Sequence, residues 1–394
     1  MKSGALTGEI GNWLIREARF LPTNKEVIEQ FCERVRDAGI PVDRVSLHQR
    51  AFHPQYRGAA RIWRYGEPVE ELFFEHGIEK TNTYLKNPIR PVIEEGRSFE
   101  WRLDRNEKFT YPVLNELRDQ GFTHYAVAPL FYSAGTTNAF SWSTKSPGGF
   151  SPAAMAFFRA ILPSYAAVAE LKALKRFIGG MMTTYVGAEA GRLILDGQVQ
   201  RGDVRAITAA LMLVDLRDFT ELSDRLSSRV VVRTLNRYFD CVMPPVRQHG
   251  GEVVEIMGDG VLAFFHQGPD HSPADACESA LAAATAGLAA LEDYNVKHPD
   301  KPLKAGVALH YGTVSYGNIG SGNRLDFTLI GPDVNLTSRI ERLCRELDRS
   351  LIMSEAFAET LRRPMWEIGH FELRGFAKMQ RLFELPLVAK ELAQ

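Results

Sequence analysis

Apolar residues recur at helical spacing at Ile28, Phe31, Cys32 and Val35, which predicts a helix over about 24–38. Denser apolar runs at Arg44–His48, Ala60–Tyr65 and His124–Phe131 read as strands. The turn-forming run Gly135-Thr136-Thr137-Asn138 leads into a further strand at Ala139–Ser143. Ser151-Pro152 is a helix start, with serine as N-cap and proline at the first position. Met155, Phe158, Ile161, Leu162, Tyr165 and Val168 carry that helix to about Lys175. A connector over 176–204 mixes a helical pattern with Gly179, Gly180, Gly187 and Gly191, and Gly197 and Gly202 break it. Beyond it the rhythm changes. Apolar strands at 206–216, 252–257, 260–266, 304–311 and 325–330 alternate with helices near 228–248, 273–297 and 333–347. The pattern predicts an α+β domain over 1–175, the connector, and a ferredoxin-like α/β domain over 205–394.

Composition narrows the class. The 394 residues suffice for two ordinary domains, and 45% hydrophobic with 24% charged residues excludes a disordered tail, a collagen-like fibre or a membrane channel. Forty-seven basic residues against 48 acidic ones, a net charge of −1, give no sign of a nucleic-acid partner. Cys32, Cys241, Cys277 and Cys344 lie far apart without C-x-x-C spacing and read as isolated core thiols. Met1 to Ala5 lack the apolar core of a signal peptide, and the most apolar stretch, Ala280–Leu291, falls short of the ~20 residues of a membrane span. The expectation is a cytoplasmic protein without a membrane span.

Three segments of the second half carry candidate chemistry. The run "AITAALMLVDL" ends a buried strand in Asp215, where an acid needs solvent, a partner or a metal. In "GGEVVEIMGDGVLAFF", Gly258-Asp259-Gly260 is a hairpin signal with an acid at its tip. Alone, Asp259 would be a turn aspartate; together, carboxylates on adjacent strands make a hard-oxygen site for one or two Mg²⁺ or Mn²⁺ ions holding a polyphosphate. In "RLDFTLIGPDVNLTSRIERLC", Asp333 is a plausible N-cap, and Asn335 and Arg339 share one helix face four residues apart. An amide and a guanidinium both donate to developing negative charge on a phosphoryl group.

With these segments in order, residues 206–387 resemble the catalytic domain of the class III nucleotidyl cyclases, the adenylate and guanylate cyclase family. The family's "D-I-x-G-F-T" appears as Asp215-Leu216-Arg217-Asp218-Phe219-Thr220, its "G-D" hairpin as Gly258-Asp259, and its "G-x-x-V-N-x-A-x-R" helix as Gly331 to Arg339. A late basic turn appears as Leu373-Arg374-Gly375-Phe376-Ala377-Lys378. The stretch Tyr185–Asp203 is similar to the segment that precedes many bacterial cyclase domains. The resemblance implies that Asp215, Asp259 and the Leu216 carbonyl hold two Mg²⁺ or Mn²⁺ ions over the triphosphate. Phe219 and Thr220 would lie at the phosphates, Asn335 would position the ribose, Arg339 would stabilise the α-phosphoryl, and Arg324 and Arg374 would grip the departing phosphates. It also implies a head-to-tail homodimer in which the acids come from one chain and Asn335 and Arg339 from the other. Residues 125–171, "YAVAPLFYSAGTTNAFSWSTKSPGGFSPAAMAFFRAILPSYAAVAEL", resemble the final hairpin and helix of a GAF sensor domain, which implies an unknown sensory ligand or partner.

Two departures from the family pattern matter. Asp218 stands where glycine is usual; facing inward it would repel the substrate phosphates, and as an outward-facing N-cap it would leave them undisturbed. Glu255 stands where adenylate cyclases generally carry lysine, with Thr328 as the partner position for the base. Glutamate accepts from guanine N1–H and the exocyclic amine, and Thr328 could donate to O6, so the pairing favours GTP over ATP. The competing readings are an adenylate cyclase making cyclic AMP and an inactive nucleotide-binding module, against the second of which both acids, Asn335, Arg339 and the late basic residue are retained. A diguanylate cyclase would show a "G-G-D/E-E-F" hairpin that is absent, and a polymerase palm would need a basic template channel.

Overall fold

The computed structural model describes residues 3–50, 56–105, 108–266 and 271–386. The last eight residues assigned to the second domain lie outside them. The chain forms two compact units, Met1–Met181 and Met182–Gln394.

The first unit runs α1 (Ser3–Arg16), α2 (Asn24–Asp37), β1 (Arg44–Arg50), β2 (Tyr56–Arg64), β3 (Glu70–Glu75), α3 (Asn82–Leu85), α4 (Ile89–Glu95), β4 (Phe99–Arg102), α5 (Pro112–Asp119), β5 (His124–Phe131), β6 (Thr137–Thr144) and α6 (Pro152–Tyr185). Its six strands form one antiparallel sheet in the order β3-β2-β1-β6-β5-β4. One core joins α1, α2 and α6 to the sheet through residues such as Phe31, Leu47, Phe140, Trp142 and Phe158. Trp142 stacks on Phe158 with ring centroids 4.9 Å apart. A second core joins α4 and α5 to β5 through Val92, Leu117, Tyr125 and Val127.

α6 corrects the expected helix end near Lys175. Ser151 does cap it, accepting from the Ala154 N–H at 3.2 Å, but the helix runs 34 residues through Gly179-Gly180. Glycine weakens a helix by only about 1 kcal/mol, which neighbouring turns absorb. With a mean hydropathy of 1.3 over an 18-residue window, α6 is long and apolar enough by composition to cross a membrane, although half of that window is buried.

The second unit continues with α7 (Ala188–Leu195), β7 (Val204–Leu216), α8 (Phe219–Arg225), α9 (Ser228–Gln248), β8 (Glu252–Met257), β9 (Gly260–His266), α10 (Pro273–Lys297), β10 (Ala305–Ser321), β11 (Arg324–Ile330), α11 (Pro332–Glu346), β12 (Leu351–Ser354), α12 (Glu355–Thr360), β13 (Trp366–Phe371) and β14 (Gln380–Glu384). Its sheet order is β13-β14-β12-β10-β7-β9-β8, with β11 paired to β10. The segment β10-β7-β9-β8, with α9 and α10 on one face, is the expected ferredoxin-like core. Met212, Val214 and Leu216 face α9 and α10, whereas Leu211 and Leu213 face the opposite side. β10 runs ten residues past the expected end at 311. Its second half is interrupted by Gly312, Gly317 and Gly320 but buries Val314 and Tyr316, and it is held in register by β7 and β11 on its two sides.

Candidate active site

Asp215 is the penultimate residue of β7, and glycines open the space on both sides of it. Gly306 of β10 is its register partner. Gly260 starts β9, where a Cβ would lie 3.5 Å from Asp215 Oδ1. The hairpin between β8 and β9 turns at Gly258, whose φ of +69° suits glycine, and Asp259 occupies the tip. Asp215 lies within hydrogen-bonding reach of Asp259, and burial together with that second carboxylate pushes its carboxyl up to about 6. Leu216 is buried in the core, so its apolar side chain offers no ligand.

A third acid, which the sequence reading missed, belongs to this neighbourhood. A Cβ on Gly306 would meet Glu341 Oε1 at 3.1 Å, so Glu341 of α11 fills the space beside Asp215's neighbour. Burial and then Asp215 push the Glu341 carboxyl up to about 7 against the pull of Arg345 and Arg342. Helical spacing puts Glu341 three residues before the buried Cys344, a signal available only once the buried face of α11 is known. Among the described residues no three His, Cys, Asp or Glu side chains are set to hold one ion together. Asp215 with Asp259 present an oxygen-only donor set whose mutual repulsion a divalent cation would relieve. That set fits Mg²⁺ or Mn²⁺.

The raised acid carries a stability consequence. Asp215 binds its proton more tightly folded than unfolded, so its stabilising contribution is full below about pH 4 and lost as pH rises through about 6. Asp215→Asn is expected to stabilise the metal-free chain at pH 7.5 by about 1–2 kcal/mol, less than the full shift because solvent screens this half-buried group, and to change little at pH 4. The same variant should lose the rise in Tm that Mn²⁺ gives the wild type. Identical melting of both proteins at pH 7.5 would count against this assignment.

α11 carries the remaining candidates. Leu336, Ile340, Leu343 and Cys344 pack on Ala308, Ile352, Leu373 and Leu382. Asn335 is exposed, and Arg339 is half-buried with its Nε unpartnered. At 100° per residue, Arg339 and Glu341 lie about 200° apart. The flank bearing Asn335 and Arg339 thus faces away from the acids of its own chain. Asp333 is not the N-cap: Gly331 holds that position. The Asp333 carboxylate instead accepts from the Thr313 N–H at 2.8 Å and lies 3.4 Å from His310 Nε2, which holds it below the ordinary carboxylate range. His310 Nδ1 is in turn 2.7 Å from Ser354 Oγ. This chain pins the first turn of α11 to β10 and β12. It joins residues 20 to 44 positions apart, so no local pattern announced it.

At the base position, Thr328 Oγ1 donates to Glu255 Oε2 at 2.9 Å, bringing the two expected residues together across β8 and β11. The single Thr328 proton is therefore committed to Glu255, and donation to a base requires the hydroxyl to turn. Phe219 packs partly into the core and Thr220 is exposed at the start of α8. Arg324 is 84% exposed and only loosely paired with Asp326 at 3.8 Å, and Arg374 is exposed in the loop after β13. Among the described residues no ion pair connects either arginine to the acids.

Asp218 occupies the N-cap position of α8 but makes no side-chain cap bond, and its φ is +58°. The backbone there is left-handed, which is why glycine suits the position. Relief of that conformation is worth about 1–2 kcal/mol, and the extra chain entropy of glycine costs about 0.5–1. Asp218→Gly should consequently stabilise by about 0.5–1 kcal/mol. An unchanged or lowered Tm would show that Asp218 is held by other contacts.

A ferredoxin-like sheet with paired carboxylates at a strand end and hairpin tip defines the class of this unit. Residues 204–383 match the adenylate and guanylate cyclase catalytic domain. This unit therefore contains an adenylate and guanylate cyclase catalytic domain. An adenylate cyclase of Anabaena cylindrica is 26% identical over 201 residues, 49% of this chain and 38% of that relative. Adenylate cyclase 1 of Rhizobium meliloti is 31% identical over 150 residues, 37% of this chain and 22% of the relative. The chain thus spans well under half the length of these curated relatives. Among solved structures, the guanylyl cyclase Cya2 is similar at 28% identity and a TM-score of 0.41, covering 48% of this chain and 98% of that one.

Proposed function

We propose that the second unit converts a purine nucleoside triphosphate to the 3′,5′-cyclic nucleotide and pyrophosphate, taking GTP in preference to ATP. The observation that carries the reaction class is the Asp215 carboxyl in contact with Asp259 and pushed up by burial and by that neighbour, with glycines clearing the space around it. These residues would hold Mg²⁺ or Mn²⁺, two ions per site, with the Leu216 carbonyl as a further ligand. Such ions, when bound, favour ionisation of the ribose 3′-OH and neutralise phosphate charge. Asn335 orients the ribose so that the 3′ oxygen lies in line with the α-phosphorus. Arg339 donates to the α-phosphoryl as the bond to the bridging oxygen breaks. Arg324 and Arg374, exposed at the surface, follow the leaving pyrophosphate. Because Arg339 faces away from the acids of its own chain, the working unit is a homodimer whose sites combine two copies.

Glu255 supports GTP. Its carboxylate can accept from guanine N1–H and the exocyclic amine, while Thr328 turns its hydroxyl to O6. One observation favours ATP: with its proton on Glu255, the Thr328 oxygen is an acceptor suited to the adenine amine. The names of the adenylate cyclases above point the same way. Incubation with each of the four nucleoside triphosphates and Mg²⁺ or Mn²⁺, with the cyclic product identified by mass, decides between them. No cyclic product from any would overturn the reading.

The first unit is read as a GAF-like regulatory sensor, on the resemblance of its final hairpin and helix and on its helix-flanked antiparallel sheet. A cytoplasmic location follows from the proposed nucleotide substrate and the free thiols.

A further inference from the structure

A cavity of about 700 Å³ in the first unit lies where the start of α2, the sheet residues Gln49 and Arg61, and residues 172–180 of α6 meet. That size suits a small organic ligand. Its polar floor is built and nearly inaccessible to solvent: Asn24, Gln49 and Arg61 are 3%, 6% and 3% exposed. Arg61 Nη1 donates to Gln49 Oε1 at 2.7 Å, and Asn24 Nδ2 donates to Gln49 Oε1 and to the Ala169 carbonyl, both at 3.1 Å. Asn24 Oδ1 has no partner. The remaining wall is largely apolar, with Ala59, Phe73, Leu174 and Phe177.

The charge around this cavity is unbalanced. Arg50, Arg61, Lys172, Lys175 and Arg176 line it, against Glu170. Lys172 spends its head on the Arg19 carbonyl. Glu71 stands behind the guanidinium groups, 3.1 Å from Arg61 and 3.4 Å from Arg176, so one carboxylate serves two of them. Glu170 is engaged by Ser133, whose N–H and hydroxyl both donate to it. A buried guanidinium sharing its counter-ion beside an apolar wall calls for an anion attached to an apolar body.

We propose that this cavity binds an amphiphilic carboxylate, its anionic group at Arg61 and its hydrocarbon along Phe73, Leu174 and Phe177. The inference stands on the first unit alone and does not depend on the cyclase reading. Since residues 172–180 form one wall, an occupant would rest directly on α6.

Isothermal titration of the full chain with decanoate, below its micellar concentration, tests this. The expected result is saturable binding of one decanoate per chain, with decanol at least about tenfold weaker because it lacks the charge-assisted bond. Arg61→Met should weaken decanoate by about tenfold or more. Ala173→Trp leaves every charge in place and fills the cavity, so it should remove binding while the protein melts normally. Absence of saturable binding, equal binding of decanol, or full binding by folded Ala173→Trp would each overturn the proposal. So would competition by inorganic phosphate alone, which would show an anion site that does not use the apolar wall.

Discussion

Asp215→Ala or Asp259→Ala is expected to abolish cyclic-nucleotide formation. Loss of an ion that polarises a phosphoryl oxygen removes several kcal/mol of transition-state stabilisation. Each 1.36 kcal/mol is tenfold, so the rate should fall by about 10³-fold or more. Arg339→Ala is expected to lower kcat more than it raises KM, because its guanidinium meets charge that develops only during transfer. The geometry of α11 adds a sharper test. Asn335 and Arg339 lie on the flank opposite Glu341, which faces the acids of the same chain. A mixture of Asp215→Ala and Arg339→Ala chains should therefore recover activity, since each mixed head-to-tail dimer rebuilds one intact site. With random exchange the ceiling is about a quarter of wild type. Full turnover by either acid variant alone would refute the site. A mixture as inactive as its parts, despite demonstrated subunit exchange, would refute the shared arrangement.

Glu255→Lys is expected to move the nucleotide preference from GTP toward ATP by about ten- to a hundredfold in kcat/KM, since each lost or mispaired hydrogen bond in a desolvated pocket costs about 1–3 kcal/mol. Lysine donates to adenine N1, where a carboxylate offers only repulsion. The change also removes the acceptor of the Thr328 hydroxyl and frees that group. A wild-type chain that makes cyclic AMP efficiently and ignores GTP would sink the guanine reading and leave the reaction class intact.

Much of the second unit was legible along the chain. β7, β8, β9, β11, α9 and α10 begin and end within two residues of the positions their apolar patterns predict. Central strands are buried on both faces and appear as continuous apolar runs, as in Ala206–Leu216. The acids were legible for a related reason: a carboxylate ending such a run, and another between two glycines, contradict their surroundings unless they serve chemistry. The Glu255–Thr328 pairing was an expectation of the family resemblance.

Other features arose only from tertiary contact. β10 passes Tyr311 through a stretch interrupted by Gly312, Gly317 and Gly320, where Val314 and Tyr316 still alternate inward and the ladders with β7 and β11 hold the register. α6 passes Gly179-Gly180 although that pair punctuates most sequences. Asp333 serves His310 and Thr313 instead of the helix cap, and Glu341 reaches the acids because Gly306, thirty-five residues earlier, leaves it room. By itself the sequence determined which segments are buried and which residues are candidates for chemistry, since burial period and local turn geometry are written in neighbouring positions. Only the tertiary structure decided which charged groups meet and which way each flank of α11 faces, because those depend on how distant strands and helices pack.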